Sequence, residues 1–138
     1  MQSRFAILGL TLASLMLAVV AHASEPGDFD PKEIRAATTK LIAALEDPDP
    51  TAWVYMYTED AGVLEAGSRP LEGRAQLLEL ARSMEPMSSV VITPSRTEGH
   101  GSIAYMYGTA SWVNGRPPKA GSKSQVHLVI VWRKESDG

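Results

Sequence analysis

The stretch IAALEDPDPTAWVYMYTEDAGVLEAGSRPLEG, Ile42 to Gly73, changes its pattern three times. An apolar stripe at helical spacing stops at Asp47-Pro-Asp-Pro50, because proline brings no amide and disfavours the helical conformation in the residue before it. Asp49-Pro50 is also a starting device, a capping side chain followed by a residue suited to the first helical position. A second, short helix is therefore predicted over roughly Thr51 to Tyr57, presenting Trp53 with Met56 or Tyr57. An acid-rich turn follows. Ala61 to Ala66 then alternates as a short strand, closed by the Gly67-Ser-Arg-Pro70 run.

Upstream of this stretch, Asp30 is a candidate N-cap, Pro31 fits the first helical turn, and Glu33 favours the positive helix end. Ile34, Ala37, Leu41, Ala44 and Leu45 recur at spacings of three and four, which makes one buried stripe. Downstream, a third helix is predicted from Gly73 or Arg74 to Ser83, with Leu77, Leu80, Ala81 and Met84 on one side and Pro86 as its stop. The remainder reads as strands over Val90 to Glu98, Ser102 to Val113 and Ser124 to Arg133. They are joined by a Gly99-His100-Gly101 turn and a longer connection opened by Asn114-Gly115. Three helices followed by an antiparallel meander predict an α+β fold with the helices packed on one face of the sheet.

The chain has 138 residues, room for one domain. Its 44% hydrophobic and 21% charged residues are ordinary for a packed protein. Residues 1–23 read as an export signal: Arg4 supplies the positive start, Phe5 to Ala21 is uncharged, and Ala21-His22-Ala23 is a small-x-small cleavage site. The expected domain organisation is a signal at 1–23, a flexible leader at 24–29 and the folded domain at 30–138. This makes the mature chain secreted or periplasmic and free of the membrane, the alternative being an uncleaved N-terminal anchor. Cleavage takes away Arg4 alone among the charged residues, leaving 12 basic against 16 acidic side chains, a net of about −4. No nucleic acid partner is expected, because the cations are scattered rather than gathered on one face. With no cysteine there are no disulfides, thiolate metal sites or lipid-bearing cysteine. His22, His100 and His127 lack metal-ligand spacing, and neither a Ser-His-acid arrangement nor a phosphate-binding glycine loop occurs, so no metal or cofactor is expected.

The order of elements, and above all Ile42 to Gly73 with its Tyr57-Thr-Glu-Asp-Ala61 turn and Gly73-Arg74 helix start, resembles the nuclear transport factor 2-like superfamily, its SnoaL-like and ketosteroid-isomerase-like members included. The resemblance implies a cone-shaped domain whose curved sheet and helices enclose an apolar pocket. The expected lining is Trp53, Tyr57, Leu64, Met84, Tyr105, Tyr107, Trp112 and His127, each of which could equally be plain core. Laid against ketosteroid isomerases, the acid-Ala-x-Val-x-acid pattern falls on Asp60 to Glu65. That implies Glu65 as a proton-shuttling carboxylate, with a pKa raised by an apolar wall. The oxyanion tyrosine position falls on Leu41 and the protonated-aspartate position on the Gln125 to Val131 segment, which has no acid. Steroid isomerisation by that mechanism is therefore not expected.

Three site candidates emerge. Glu65 is the acid or base. His127, or Tyr105, is a donor if its strand face points inward, which alternation alone leaves open. Asp60 is either a turn former or a pocket residue. Members of the superfamily follow a charged turn like Lys134 to Gly138 with one more strand, so the sheet is expected to lack its usual last strand or the chain to be a fragment. Two functions remain open. One is a small-molecule-binding domain for an apolar or amphipathic ligand, with cofactor-free isomerase, dehydratase or hydrolase chemistry as its catalytic form. The other is a non-catalytic binding module or a homodimer joined through the sheet face.

Overall fold

A computed structural model describes residues 29–135. The signal at 1–23, all but the last residue of the leader, and residues 136–138 of the closing turn lie outside the described residues.

Helix α1, Pro31–Leu45, starts as its sequence dictates: Asp30 has extended backbone, its carboxylate accepts the Lys32 amide at 2.8 Å, and Pro31 begins the first turn. Leu41 and Thr38 are its buried residues. The Thr38 hydroxyl donates to the Ile34 carbonyl at 2.7 Å and lies 3.8 Å from the Met106 sulfur, which seats α1 across the sheet. At the helix end, the Glu46 carboxylate accepts the Val90 amide at 2.8 Å.

The Asp-Pro-Asp-Pro run then makes two successive turns. Asp47 accepts the Asp49 amide, and Asp49 accepts both the amide and the hydroxyl of Thr51, at 2.9 and 2.7 Å. The Thr51 hydrogen bonds hold the Asp49 carboxyl below its ordinary range. What Asp49-Pro50 opens is a single 3₁₀ helix, Ala52–Met56, rather than an α-helix. Tyr57 already has extended backbone, so no room exists for further turns. The described residues therefore hold two α-helices where three helices were predicted.

The strand expected over Ala61 to Ala66 shrinks to β1, Gly62–Val63, which pairs antiparallel with β2, Leu71–Glu72. The second strand follows the Gly67-Ser-Arg-Pro70 run, at two residues to which the sequence pattern assigned no element. Helix α2, Gly73–Ser83, follows directly, and the Glu72 amide donates to its Gln76 side chain at 3.2 Å. The main sheet has the order β3-β4-β5, all antiparallel, from Met87–His100, Ile103–Asn114 and Lys123–Arg133. β3 runs on through Gly99 and His100, so the expected Gly99-His100-Gly101 turn sits later, at Gly101-Ser102.

The sheet has an inner face toward the helices and an outer face toward solvent. Val90, Ala104, Met106 and Ala110 are buried inside. At Gly108 a β-carbon would stand 2.2 Å from the Thr93 carbonyl oxygen, so the close approach of β3 to β4 requires glycine there. The core gathers Leu41, Trp53, Val54, Leu77 and Ala81 from α1, the 3₁₀ helix and α2. Ile130 and Trp132 of β5 pack against it from one side, and Val63 and Leu71 of the small hairpin from another.

Candidate functional site

The acid turn between the 3₁₀ helix and β1 is pinned from two directions. The first two amides of α2, which no helical carbonyl can satisfy, donate to the turn: Gly73 to the Ala61 carbonyl at 2.9 Å and Arg74 to the Glu59 carbonyl at 3.1 Å. The Arg74 guanidinium meets the Glu59 carboxylate at 3.2 Å, donates to the Tyr57 carbonyl at 3.0 Å, and lies 5.7 Å from the centre of the Tyr55 ring. Across the molecule, Arg133 of β5 donates to both Asp60 carboxylate oxygens, at 3.0 and 3.3 Å. This contact, aided by the Thr58 hydroxyl, holds the Asp60 carboxyl below its usual value. Asp60 is thus a strut between hairpin and sheet.

Glu65 has a different place. The Ser68 amide donates to the Glu65 carbonyl at 3.0 Å, and Gly67 holds φ +80° between them, a turn position that suits glycine. The turn leaves Glu65, Ser68 and Arg69 around a groove of about 230 Å³ whose apolar wall is Val63, Leu71 and Leu80. Arg69, Leu71 and Leu80 also line a wider, shallower depression that runs along α2 past Gln76 and Glu79. Among the described residues, neither Glu65 nor Arg69 makes an ion pair. No three His, Asp or Glu side chains among them converge as metal ligands.

The other residues expected to line a pocket lie elsewhere. Trp53 is core, with Tyr57 against it edge-on at 5.5 Å, and burial pushes the Tyr57 hydroxyl pKa up. Met84 packs on the same core, and Leu64 is 73% exposed outside the strand. The Trp112 indole N–H donates to buried Asn114, whose amide in turn holds Ser122 and Ser124 and so closes the β4–β5 connection.

Tyr105, Tyr107 and His127 are all on the outer face, a correction with a simple cause. Small or flexible residues at 104, 106, 108 and 110 let α1 approach the sheet, and the pleat sends 105 and 107 the other way. His127 stands opposite outward-facing Thr109, so its face is outward too. The Tyr105 hydroxyl donates to the Glu98 carboxylate, which Arg96 also holds through its Nε at 2.7 Å. That hydrogen bond raises the Tyr105 pKa and lowers that of Glu98. Glu65 and its expected donors, His127 and Tyr105, are therefore not brought together. The groove residues that sequence patterns did not single out are Val63, Ser68, Arg69, Leu71 and Leu80. Their one signal was the Gly-Ser-Arg-Pro turn, which brings Arg69 back beside Glu65.

Two α-helices and a 3₁₀ helix stacked on one face of a three-stranded meander, with a small hairpin leading into α2, is an arrangement found in solved structures. A protein from Xanthomonas campestris described as a calcium/calmodulin dependent protein kinase II association domain superposes with a TM-score of 0.64 at 18% identity, over 83% of this chain and 84% of that one. The fold is nuclear transport factor 2-like. A ketosteroid isomerase-like protein from Erwinia carotovora atroseptica gives a TM-score of 0.63 at 17% identity, covering 76% of this chain and 84% of that one. An epoxide hydrolase/cyclase-like enzyme of pyran ring formation in salinomycin gives 0.54 at 22% identity, covering 79% and 85%. No family model and no curated protein matches the sequence. The likeness establishes the nuclear transport factor 2-like fold alone.

Proposed function

We propose that this chain is an exported, SnoaL-like binding domain that takes up a small amphipathic molecule without transforming it, and that the cone implied by the resemblance is here reduced to the Glu65 groove. The observation that carries the reading is the combination of an apolar wall, Val63, Leu71 and Leu80, with two charges of opposite sign at one opening, Glu65 and Arg69, neither in an ion pair among the described residues. Burying a ligand's hydrocarbon part against that wall stabilises the complex by about 25 cal/mol per Å² of apolar surface. Glu65 and Arg69 orient its polar end. At about 230 Å³ the groove is below the usual range for drug-sized ligands, which favours a compact occupant.

Binding is preferred to catalysis because the expected proton donors do not stand at the groove, within reach of a group bound beside Glu65. His127 and Tyr105 lie across the sheet from Glu65. Hexylamine and hexanoate serve as probes. Glu65→Gln is expected to weaken hexylamine binding several-fold in calorimetry and to leave hexanoate unchanged. A substrate that the wild type turns over and Glu65→Gln does not would overturn the non-catalytic reading.

A second reading is favoured by one specific observation. Tyr105, Tyr107, Val129 and Val131 are contiguous by register on the outer face, and each is at least 36% exposed. A patch of this kind is often an interaction surface, and homodimerisation through it is the proposal it supports. Tyr107→Arg is expected to abolish such association in sedimentation while leaving the circular dichroism spectrum intact.

A further inference from the structure

The small hairpin sets the two charges of the groove against each other. β1 and β2 pair Gly62 with Glu72 and Val63 with Leu71, so the same register carried toward the turn brings Glu65 opposite Arg69. Residues two apart in a strand share a face, which places both charges on the side of Val63 and Leu71, at the end of the apolar wall. Strand pairing itself stops short of them. Pro70 has no amide to give to a ladder, and the Ser68 amide turns back to the Glu65 carbonyl at 3.0 Å. An acid and a base opposed on one face of a hairpin commonly hold each other, yet none of the ion pairs among the described residues includes Glu65 or Arg69. Ser68 lines the same groove and brings a hydroxyl to it.

We propose that the occupant of the groove is a free α-amino acid with a branched aliphatic side chain, its ammonium on Glu65, its carboxylate on Arg69 and Ser68, and its side chain on Val63, Leu71 and Leu80. The inference rests on the groove being a binding site and names what that site takes. A ligand with one charge matches one of the two side chains and leaves the other unmatched, whereas a zwitterion matches both by charge-assisted hydrogen bonds. In an α-amino acid both charges leave from one carbon. A single head group therefore spans the opposed side chains, and the whole tail is free to lie on the wall. Val63, Leu71 and Leu80 are aliphatic and their side chains offer no hydrogen bond, so a polar group in the tail would lose its water without compensation. The groove is only about 230 Å³, and a branched chain buries more apolar surface in a short space than a straight one of equal length. The N-terminus of a peptide fits less well: it supplies the ammonium but sets a neutral amide against Arg69.

Leucine, leucinamide and 4-methylpentanoate share one side chain and carry, in turn, both charges, the ammonium alone and the carboxylate alone. In calorimetry on the full chain, leucine is expected to bind about tenfold more tightly than either of the others. Glu65→Gln is expected to bring leucine down to the affinity of 4-methylpentanoate, and Arg69→Gln to bring it down to that of leucinamide. Both residues are exposed, so the two variants are expected to keep the circular dichroism spectrum of the wild type. Leucinamide or 4-methylpentanoate binding as tightly as leucine overturns the proposal while leaving the groove a binding site for singly charged ligands. No binding of any of the three, nor of hexylamine, overturns it together with the reading it rests on.

Discussion

Asp60 and Glu65 share a short turn-and-hairpin segment, and their partners set them apart. Asp60 is held by Arg133 across the gap between hairpin and sheet, whereas Glu65 faces an apolar groove with no partner among the described residues. The Asp60 carboxyl is held below its ordinary value, so its contribution to stability is fully present above the unfolded pKa, about 3.9, and is lost as pH falls through the folded value. Asp60→Asn is therefore expected to lower the melting temperature at neutral pH, and the difference from wild type should shrink below about pH 4. A melting-temperature difference that stays constant through that window would show that the ion pair contributes nothing. The sequence marked Glu65 through the strand pattern and the resemblance. It could not supply Arg133 as the partner of Asp60, a contact between residues far apart in the chain.

Among the elements, those legible in sequence are the ones whose signals are local. Asp30-Pro31 and Pro86 bound the two α-helices within a few residues of where they lie, and the three long strands carry their own turn residues. β2 was not legible, because two residues are too few to show alternation. The facing of β5 was not legible either. Its inner residues Leu128, Ile130 and Trp132 and its outer Val129 and Val131 are equally apolar, so period-two patterning gives no preference. β4 misled in another way, by placing its large aromatics outside and its small residues under α1. That arrangement gives the prediction proper to this scale. Gly108→Ala would force a methyl onto the Thr93 carbonyl, and should cost about 1–3 kcal/mol in denaturant unfolding while loosening the β3–β4 register in hydrogen exchange. An unchanged unfolding midpoint would mean that the strands separate without cost.

For the whole molecule, one core serves two sheets: Val63 and Leu71 of the hairpin and Ile130 and Trp132 of the main sheet pack on the same cluster of Leu41, Trp53, Val54, Leu77 and Ala81. The groove is the opening that the hairpin and α2 leave on the flank of that core. Export is the other proposal at this scale. Among the described residues no helix is long and apolar enough to cross a membrane, and the apolar run of 5–21 lies outside them. Mass spectrometry of the chain expressed with its own N-terminus is expected to find a mature protein beginning at Ser24 in the periplasmic or culture fraction. An intact Met1 in the membrane fraction would favour the anchor.

Methyl chemical-shift mapping shows whether the groove is a binding site. Titrating hexylamine into the methyl-labelled protein is predicted to move the Val63, Leu71 and Leu80 signals together, with a midpoint that Glu65→Gln shifts to higher concentration. Movement confined to the Val129 and Val131 methyls, or none at any methyl, would contradict it.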